Sequence, residues 1–520
     1  MTRVGCIWAA AFWVVLYVPS SATPPDRPAP ERAVTAEAVS SAVQTIQAMA
    51  REIIADKGAP GVAIAVVFRD RLVWAKGFGV RDVATGAAVD ADTVFQLASV
   101  SKPLASTVVA ELVGEGKIAW DSHISDLDPG FQLADPWVTR EVRIDDLFSH
   151  RSGLPDHAGD LLEDMGYSRD EVLRRLRLQK GGGSFRASYA YTNFGLTEAA
   201  LAAVKPYGLT WEDASELRLY RPLGMNSTSS RYSDFINRPD RAVGHVRVNG
   251  QWTTRDQRQP DAQSPAGGAS SSVNDMAKWM RLQLADGKFD GKQIVDAAAL
   301  AETHAPQVHT GSNPLTGAPQ FYGLGWNVSY DQQGRLRLNH SGAFSMGAST
   351  VVSLVPSEQL GIVVLVNAEP VGVSEALAFS FMDQALYGRQ TQDWRPLFAK
   401  VFADMASEAG DHAVIYANPP SAPSPALADA AYVGTYANAY FGDVEVTDRG
   451  GALAIVEGPG RMTFPLAHYD RDTFTYQTIG ENASGLTGVT FTVGPDGRAQ
   501  SVTVRCLNDN GDGVFSRKAR

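Results

Sequence analysis

Residues 417–428 read ANPPSAPSPALA, and they divide the chain into two parts with different periodicities. Four prolines in twelve residues remove backbone donors and fix φ, so neither a helix nor a central strand can run through them. Upstream, Val39, Val43, Ile46, Met49 and Ile53 recur at three- and four-residue spacing, a single stripe on a helix over 36–55. Downstream that period disappears. Short apolar runs at 443–447, 452–456, 489–493 and 501–505 alternate with Gly, Asp and Asn turns, which predicts an all-β barrel or sandwich.

The upstream part mixes periods. β-rich runs at 61–68 and 72–80 flank Arg69-Asp70-Arg71 and read as a hairpin. Helices are expected at 101–113, 170–178, 196–204, 273–285 and 373–387, interleaved with strands at 336–339, 349–355 and 361–366. Hairpins outnumber strand-helix-strand units, so the class is α/β of the α+β kind, an antiparallel sheet flanked by helices. The expected layout is a signal peptide over 1–22, an extended leader over 23–35, a main domain over 36–400, a linker over 401–428 and a β-barrel domain over 429–520.

The first residues carry Arg3, an apolar run over 4–18 and the small-residue ending Pro19-Ser20-Ser21-Ala22, the pattern of a cleavable secretory signal. The run is shorter than the roughly 20 residues a spanning helix needs. A periplasmic or secreted protein without stable membrane insertion is expected. Loss of Cys6 with the signal leaves only Cys506 of the two cysteines, so no intramolecular disulfide is available and stability rests on the core. A formal net charge of -11 has the wrong sign for nucleic acid.

Phe95-Gln96-Leu97-Ala98-Ser99-Val100-Ser101-Lys102-Pro103 precedes a strong helix, and Pro103 is tolerated only in its first turn. Ser99 therefore lies at or beside the N-terminus, with Lys102 three positions on and on the same face. An amine there can replace histidine as the base, provided its pKa drops from about 10.4 by roughly 3 units, about 4 kcal/mol against the cation. Tyr191-Thr192-Asn193 is a second element, although Tyr416-Ala417-Asn418 and Tyr436-Ala437-Asn438 share its spacing. His340-Ser341-Gly342 is a third, where a glycine lets a strand edge approach a bound acyl group.

Ser, Lys, Tyr, Asn and then a basic residue with Gly, in that order, resembles the penicillin-recognising serine acyltransferases. In particular the chain is similar to the class C β-lactamase family, which includes D-alanyl-D-alanine peptidases, D-amino-acid peptidases and esterases. Leu147-Phe148-Ser149-His150-Arg151-Ser152-Gly153-Leu154, Pro222-Leu223-Gly224-Met225, Pro265-Ala266-Gly267-Gly268 and Gly323-Leu324-Gly325-Trp326 support the resemblance, which spans about residues 40–390. It implies an added, mainly helical subdomain and a small-molecule or peptide substrate; with the nine histidines scattered, no metal and no cofactor are expected. It implies Ser99 as the acylated nucleophile, Lys102 as its proton partner and Tyr191 as the phenol that relays a proton to the leaving group. Asn193, His340, Ser341 and Gly342 would bind substrate, and the backbone N–H groups of Ser99 and Ala343 would form the oxyanion hole.

His340 departs from the lysine that such β-lactamases carry. A neutral imidazole would capture a substrate carboxylate weakly, which favours peptides or esters over penicillins. Tyr432-Val433-Gly434-Thr435-Tyr436, Phe441-Gly442 and Phe515-Ser516-Arg517 resemble the lipocalin-like domain appended to some serine peptidases. Its aromatic residues are expected in the barrel core, and the domain itself to shape access to the site or support a homo-oligomer.

Three other readings stand beside this one. Ala343-Phe344-Ser345-Met346-Gly347 approaches a nucleophile-elbow motif but lacks its first glycine and its helix. A metal hydrolase finds no H-E-x-x-H. A non-catalytic sensor of cell-wall peptides or β-lactams would keep Ser99 yet fail to turn over. His150 is expected to brace the turn at 149–153, and His157, His245, His304, His309 and His412 to lie at the surface.

Overall fold

The computed structural model describes residues 33–254, 257–313 and 315–519, and gives the helix Trp394–Ala417 without side chains at 408–412. The expected signal peptide, and the leader up to 32, lie outside the described residues. The leader's last residues are anchored, because the Val34 N–H donates to Glu358 at 2.9 Å.

The strand Gly61–Phe68 is apolar at nearly every position because both its faces are covered. Val62, Ile64 and Val66 pack with Ile46 and Ile53 of the helix Ala36–Ala55 and with Leu377 and Phe381 of the helix Val373–Tyr387. Ala63, Ala65 and Val67 join the other core, with Met276 and Met280 of the helix Val273–Leu284. This strand sits inside a nine-stranded sheet. Its order is Val308–Ser312, Pro319–Tyr322, Asn327–Tyr330, Leu336–Phe344, Ala348–Val355, Leu360–Val366, Gly61–Phe68, Arg71–Asp82 and Ala87–Ala88, each neighbour antiparallel. Arg69 and Asp70 turn the first hairpin at φ 48° and 58°, the twist a tight hairpin requires.

Between Ala87–Ala88 and Val308–Ser312 the chain leaves the sheet and becomes mainly helical. Ser101–Gly114 and Asn193–Val204 are its longest buried helices besides Val273–Leu284, and Leu104, Val108, Leu196 and Ala199 lie in the main core. The sheet carries one wall of the site and these helices carry the other.

The C-terminal strands form a second nine-stranded antiparallel sheet whose outer members, Met462–Pro465 and Ala467–Asp470, are consecutive in sequence, so the sheet curls into a nearly closed barrel. Tyr432, Tyr436, Phe474, Phe491 and Phe515 fill it, which gives the aromatic residues the core role expected for them. The stretch expected as linker differs from expectation in its first part. Trp394–Ala417 is a helix, held by Trp394, Phe398, Val401 and Phe402 against Ala376 and Phe379, and only the proline-bearing residues after it lack regular structure. Apolar anchoring carried that helix past residue 401, and the first proline of the run stopped it. Among the described residues no helix is long and apolar enough to cross a membrane.

Candidate active site

Ser99 lies in a single 3-10 turn, Ala98–Val100, immediately before Ser101–Gly114, with Pro103 in that helix's first turn as expected. Ala98 holds φ at 47°, a left-handed conformation that costs a non-glycine residue about 1 to 3 kcal/mol. Ala98 is stabilised there by packing against Phe344 and Ala348. Ser99 stays partly exposed while Lys102 is fully buried.

Lys102 Nζ donates to Ser99 Oγ at 3.2 Å, to Asn193 Oδ1 at 2.7 Å and to the Ala266 carbonyl at 3.0 Å. Tyr191 OH donates to Ser99 Oγ at 2.8 Å, and Lys102 Nζ lies 4.5 Å from the centre of its ring. Burial draws the Lys102 ammonium down to about 7, against the opposing pull of Asp160. Burial also pushes the Tyr191 phenol well above its ordinary value, so it stays protonated. The structure thus brings together Ser99, Lys102, Tyr191 and Asn193 from elements more than ninety positions apart. Asn193 starts the helix Asn193–Val204, and the two other Y-x-N stretches lie elsewhere, with Tyr416 against Tyr469 and Tyr436 inside the barrel.

His340, Ser341, Gly342 and Ala343 lie inside the strand Leu336–Phe344, which continues past the residue 339 expected as its end. Gly342 faces the turn that carries Ser99. A Cβ there would sit 2.9 Å from Ser99 N and closer still to Leu97 O and Thr350 Oγ1, so only glycine lets the strand lie against it. Ser341 points to the opposite face, where its hydroxyl meets the buried Glu375 carboxyl. His340 is fully buried, with Nδ1 2.7 Å from the Ser341 carbonyl and Nε2 2.8 Å from Tyr322 OH. The carbonyl can only accept, so Nδ1 carries the proton and Nε2 accepts from Tyr322. Burial, with Lys102 nearby, lowers this imidazole to about 3. It is neutral and has no free nitrogen for a substrate carboxylate.

Residues 46–387 match the beta-lactamase family, well over half of the chain. The chain belongs to that family. It is therefore a serine hydrolase of the beta-lactamase family, and residues 418–513 match a domain of unknown function (DUF3471). The unguisins hydrolase of Aspergillus violaceofuscus is 26% identical over 490 residues, covering 86% of this chain and 84% of the relative. Penicillin-binding protein 4 of Amycolatopsis lactamdurans is 31% identical over 323 residues, 59% of this chain and 81% of the relative. The octameric penicillin-binding protein homologue of Pyrococcus abyssi shares the fold at a TM-score of 0.58 and 19% identity, covering 89% of this chain and 98% of that one.

Three of the family's four supporting stretches take up places around Lys102. Ala266 supplies the carbonyl acceptor, and Gly325 approaches the Lys102 carbonyl at φ 83°. His150 is buried at φ 58°, accepts from Thr192 N–H through Nδ1 at 3.2 Å, and packs with its ring tilted 47° to that of Tyr191, the centroids 4.5 Å apart. It braces the backbone between Tyr191 and Asn193 as well as its own turn. Ser345 is occupied elsewhere, because both its N–H and its hydroxyl donate to Glu481, at 2.6 Å each.

Three expectations about histidines are corrected. His157 packs beside Tyr191 and pairs with Asp160, His245 is fully buried on the Asn367 carbonyl, and His304 packs edge-on against Trp326. Each is enclosed by residues distant in the chain, which no local pattern announces. His309 is exposed as expected, and the His412 side chain lies outside the described residues. Spacing gave no sign of the His157–Asp160 pair, since its contact with Asn193 spans 33 positions.

The barrel reaches the same region. Tyr440 OH accepts from the Gly159 N–H, Tyr167 OH donates to the Phe441 carbonyl at 2.8 Å, and the Asp164 carboxylate accepts from the Glu481 and Asn482 N–H groups. The Gly159–Met165 stretch that carries Asp160 is therefore held between two barrel loops.

Proposed function

We propose that this hydrolase works through an acyl-enzyme on Ser99 and cleaves peptide bonds, including those of D-amino acids, or ester bonds, in preference to β-lactams. One observation carries the reading: the Ser99 hydroxyl stands within hydrogen-bond reach of both a buried amine held near pH 7 and a protonated phenol.

In this reading neutral Lys102 takes the Ser99 proton as Oγ attacks the substrate carbonyl. The negative oxygen that develops is held by the backbone N–H groups of Ser99 and Ala343, at the helix end that favours negative charge. Tyr191 donates its proton to the departing amine or alcohol and recovers one from Lys102. Water then attacks the acyl carbon with the same groups working in reverse. Asn193 keeps Lys102 oriented. His340 supports the strand that carries Gly342; enclosed and with both ring nitrogens engaged, it offers no cation to the carboxylate of a β-lactam. The name of the Aspergillus relative, a hydrolase covering 86% of this chain, supports a hydrolytic role. The N-terminal 22 residues support export to the periplasm or medium.

Mass spectrometry after a fluorophosphonate probe is expected to place the label on Ser99 in the wild type and in Ser345→Ala, and nowhere in Ser99→Ala. A panel of p-nitrophenyl esters, D-amino-acid amides and a chromogenic cephalosporin then ranks substrates. Steady turnover of the cephalosporin above the others would overturn the preference. A stoichiometric burst without turnover on every member would point instead to a sensor, the reading that the likeness to a penicillin-binding protein favours.

A further inference from the structure

Asp160 is only 3% exposed, yet one of its two oxygens does all the binding. Oδ2 lies 2.8 Å from His157 Nδ1 and accepts from Asn193 Nδ2 at 2.9 Å, while Oδ1 is buried with no hydrogen-bond partner among the described residues. The consequence reaches Lys102 through a single amide. An amide whose nitrogen is committed to a carboxylate must present its oxygen at the other end, and Asn193 Oδ1 is where Lys102 Nζ donates. Were Asn193 to flip, its NH2 would face the amine, and a neutral Lys102 would be turned away from Ser99.

His157 completes the arrangement. Its backbone is left-handed, at φ 57°, which brings the ring back over its own segment toward Asp160. Burial disfavours its cation, but Asp156 and Asp160 together outweigh burial and lift it to about 9. The pair is thus an imidazolium and a carboxylate set behind the reactive amine.

We propose that His157 and Asp160 are positioning residues that orient Lys102 through Asn193 and balance the charge around it, neither touching the substrate. This rests on the reading of Lys102 as the proton acceptor for Ser99. The groups that face Lys102 are Asp160 and His157 from their own segment, His150 from the turn after Ile144–Phe148, His340 from the sheet, and Tyr191 and Asn193. Asp160 is also faced by Glu163 and by Tyr440 from the barrel, and His157 by Asp156.

The two members of the pair act on the amine with opposite sign, and this separates positioning from mere structural support. Asp160→Asn removes the anion, so the acid limb of kcat/KM on a p-nitrophenyl ester should move to lower pH by about one unit. The amide introduced by that substitution can also disorder the Asn193 side chain, so kcat should fall about tenfold with KM held within about twofold. His157→Gln removes a cation and leaves Asp160 unopposed, so its acid limb should move to higher pH. Full-length wild type and both variants are compared, with circular dichroism recording their folding. Limbs that stay in place, limbs that move together, or losses confined to KM would overturn the proposal. If Asp160→Asn does not fold, the direction of the His157→Gln shift decides alone, since no shift or an acid shift contradicts it. Still limbs with intact fluorophosphonate labelling of Ser99 sink this pair and leave the acyl-enzyme reading standing. A wild-type profile without any acid limb near pH 7 sinks that reading instead.

Discussion

Tyr440, from the C-terminal barrel, accepts a 2.9 Å hydrogen bond from the buried N–H of Gly159, the residue before Asp160. The bond joins a residue far outside the beta-lactamase-family region to the segment behind Lys102. Tyr440→Phe would leave that N–H buried and unpaired. A stability loss of about 1 to 3 kcal/mol is expected in denaturant unfolding. Activity should fall through kcat, and an unchanged unfolding midpoint would show that the contact contributes nothing.

The Lys102 amine gives a pH dependence with a definite sign. Activity should rise with pH through about 7 as the amine loses its proton. For stability, the unfolded lysine holds its proton up to about 10.4, so between these values the unfolded chain binds more protons and stability rises with pH. Lys102→Met should abolish both trends and lower kcat/KM by at least about a thousandfold. The wild-type-minus-variant difference in unfolding free energy should be flat below about pH 7 and climb from there to about 10. A flat difference throughout would show that the amine is not depressed.

Gly342→Ala tests how closely the strand must lie on the nucleophile turn. The added methyl meets backbone at Leu97 and Ser99, neither of which can swing aside. Displacement by a fraction of an ångström should cut kcat/KM about a hundredfold, mostly in kcat. Activity within about twofold of wild type would show that the turn gives way freely.

His340→Lys would place an ammonium where the imidazole is fully enclosed by Tyr322 and its own strand. A net loss of more than about 2 kcal/mol in unfolding free energy is expected, with no gain in cephalosporin turnover. Restored β-lactam turnover in a stable variant would show that this position captures substrate directly.

Much of the site was legible in the chain because its chemistry is local. Ser99 and Lys102 share one helical turn, Pro103 marks its start, and Tyr191 with Asn193 stand two positions apart at the start of another helix. The helices at 36–55 and 373–387 were legible for a similar reason, each reading its own apolar stripe. Ser341 shows the limit. Alternation along a strand sends neighbours to opposite faces, so its hydroxyl meets Glu375 while Gly342 meets the nucleophile turn. The motif named both residues without distinguishing their faces.

By itself the sequence determined the placing of Ser99 and Lys102 on one helical turn, the antiparallel sheet and the break between an α/β part and a β part, since each follows from spacing or composition within a few residues. The tertiary structure alone decided that His340 is enclosed and neutral, that His157 and Asp160 stand behind Lys102, and that the barrel holds their segment through Tyr440. These are contacts between distant parts of the chain, and burial and the field of neighbouring charges exist only once folding has brought those parts together.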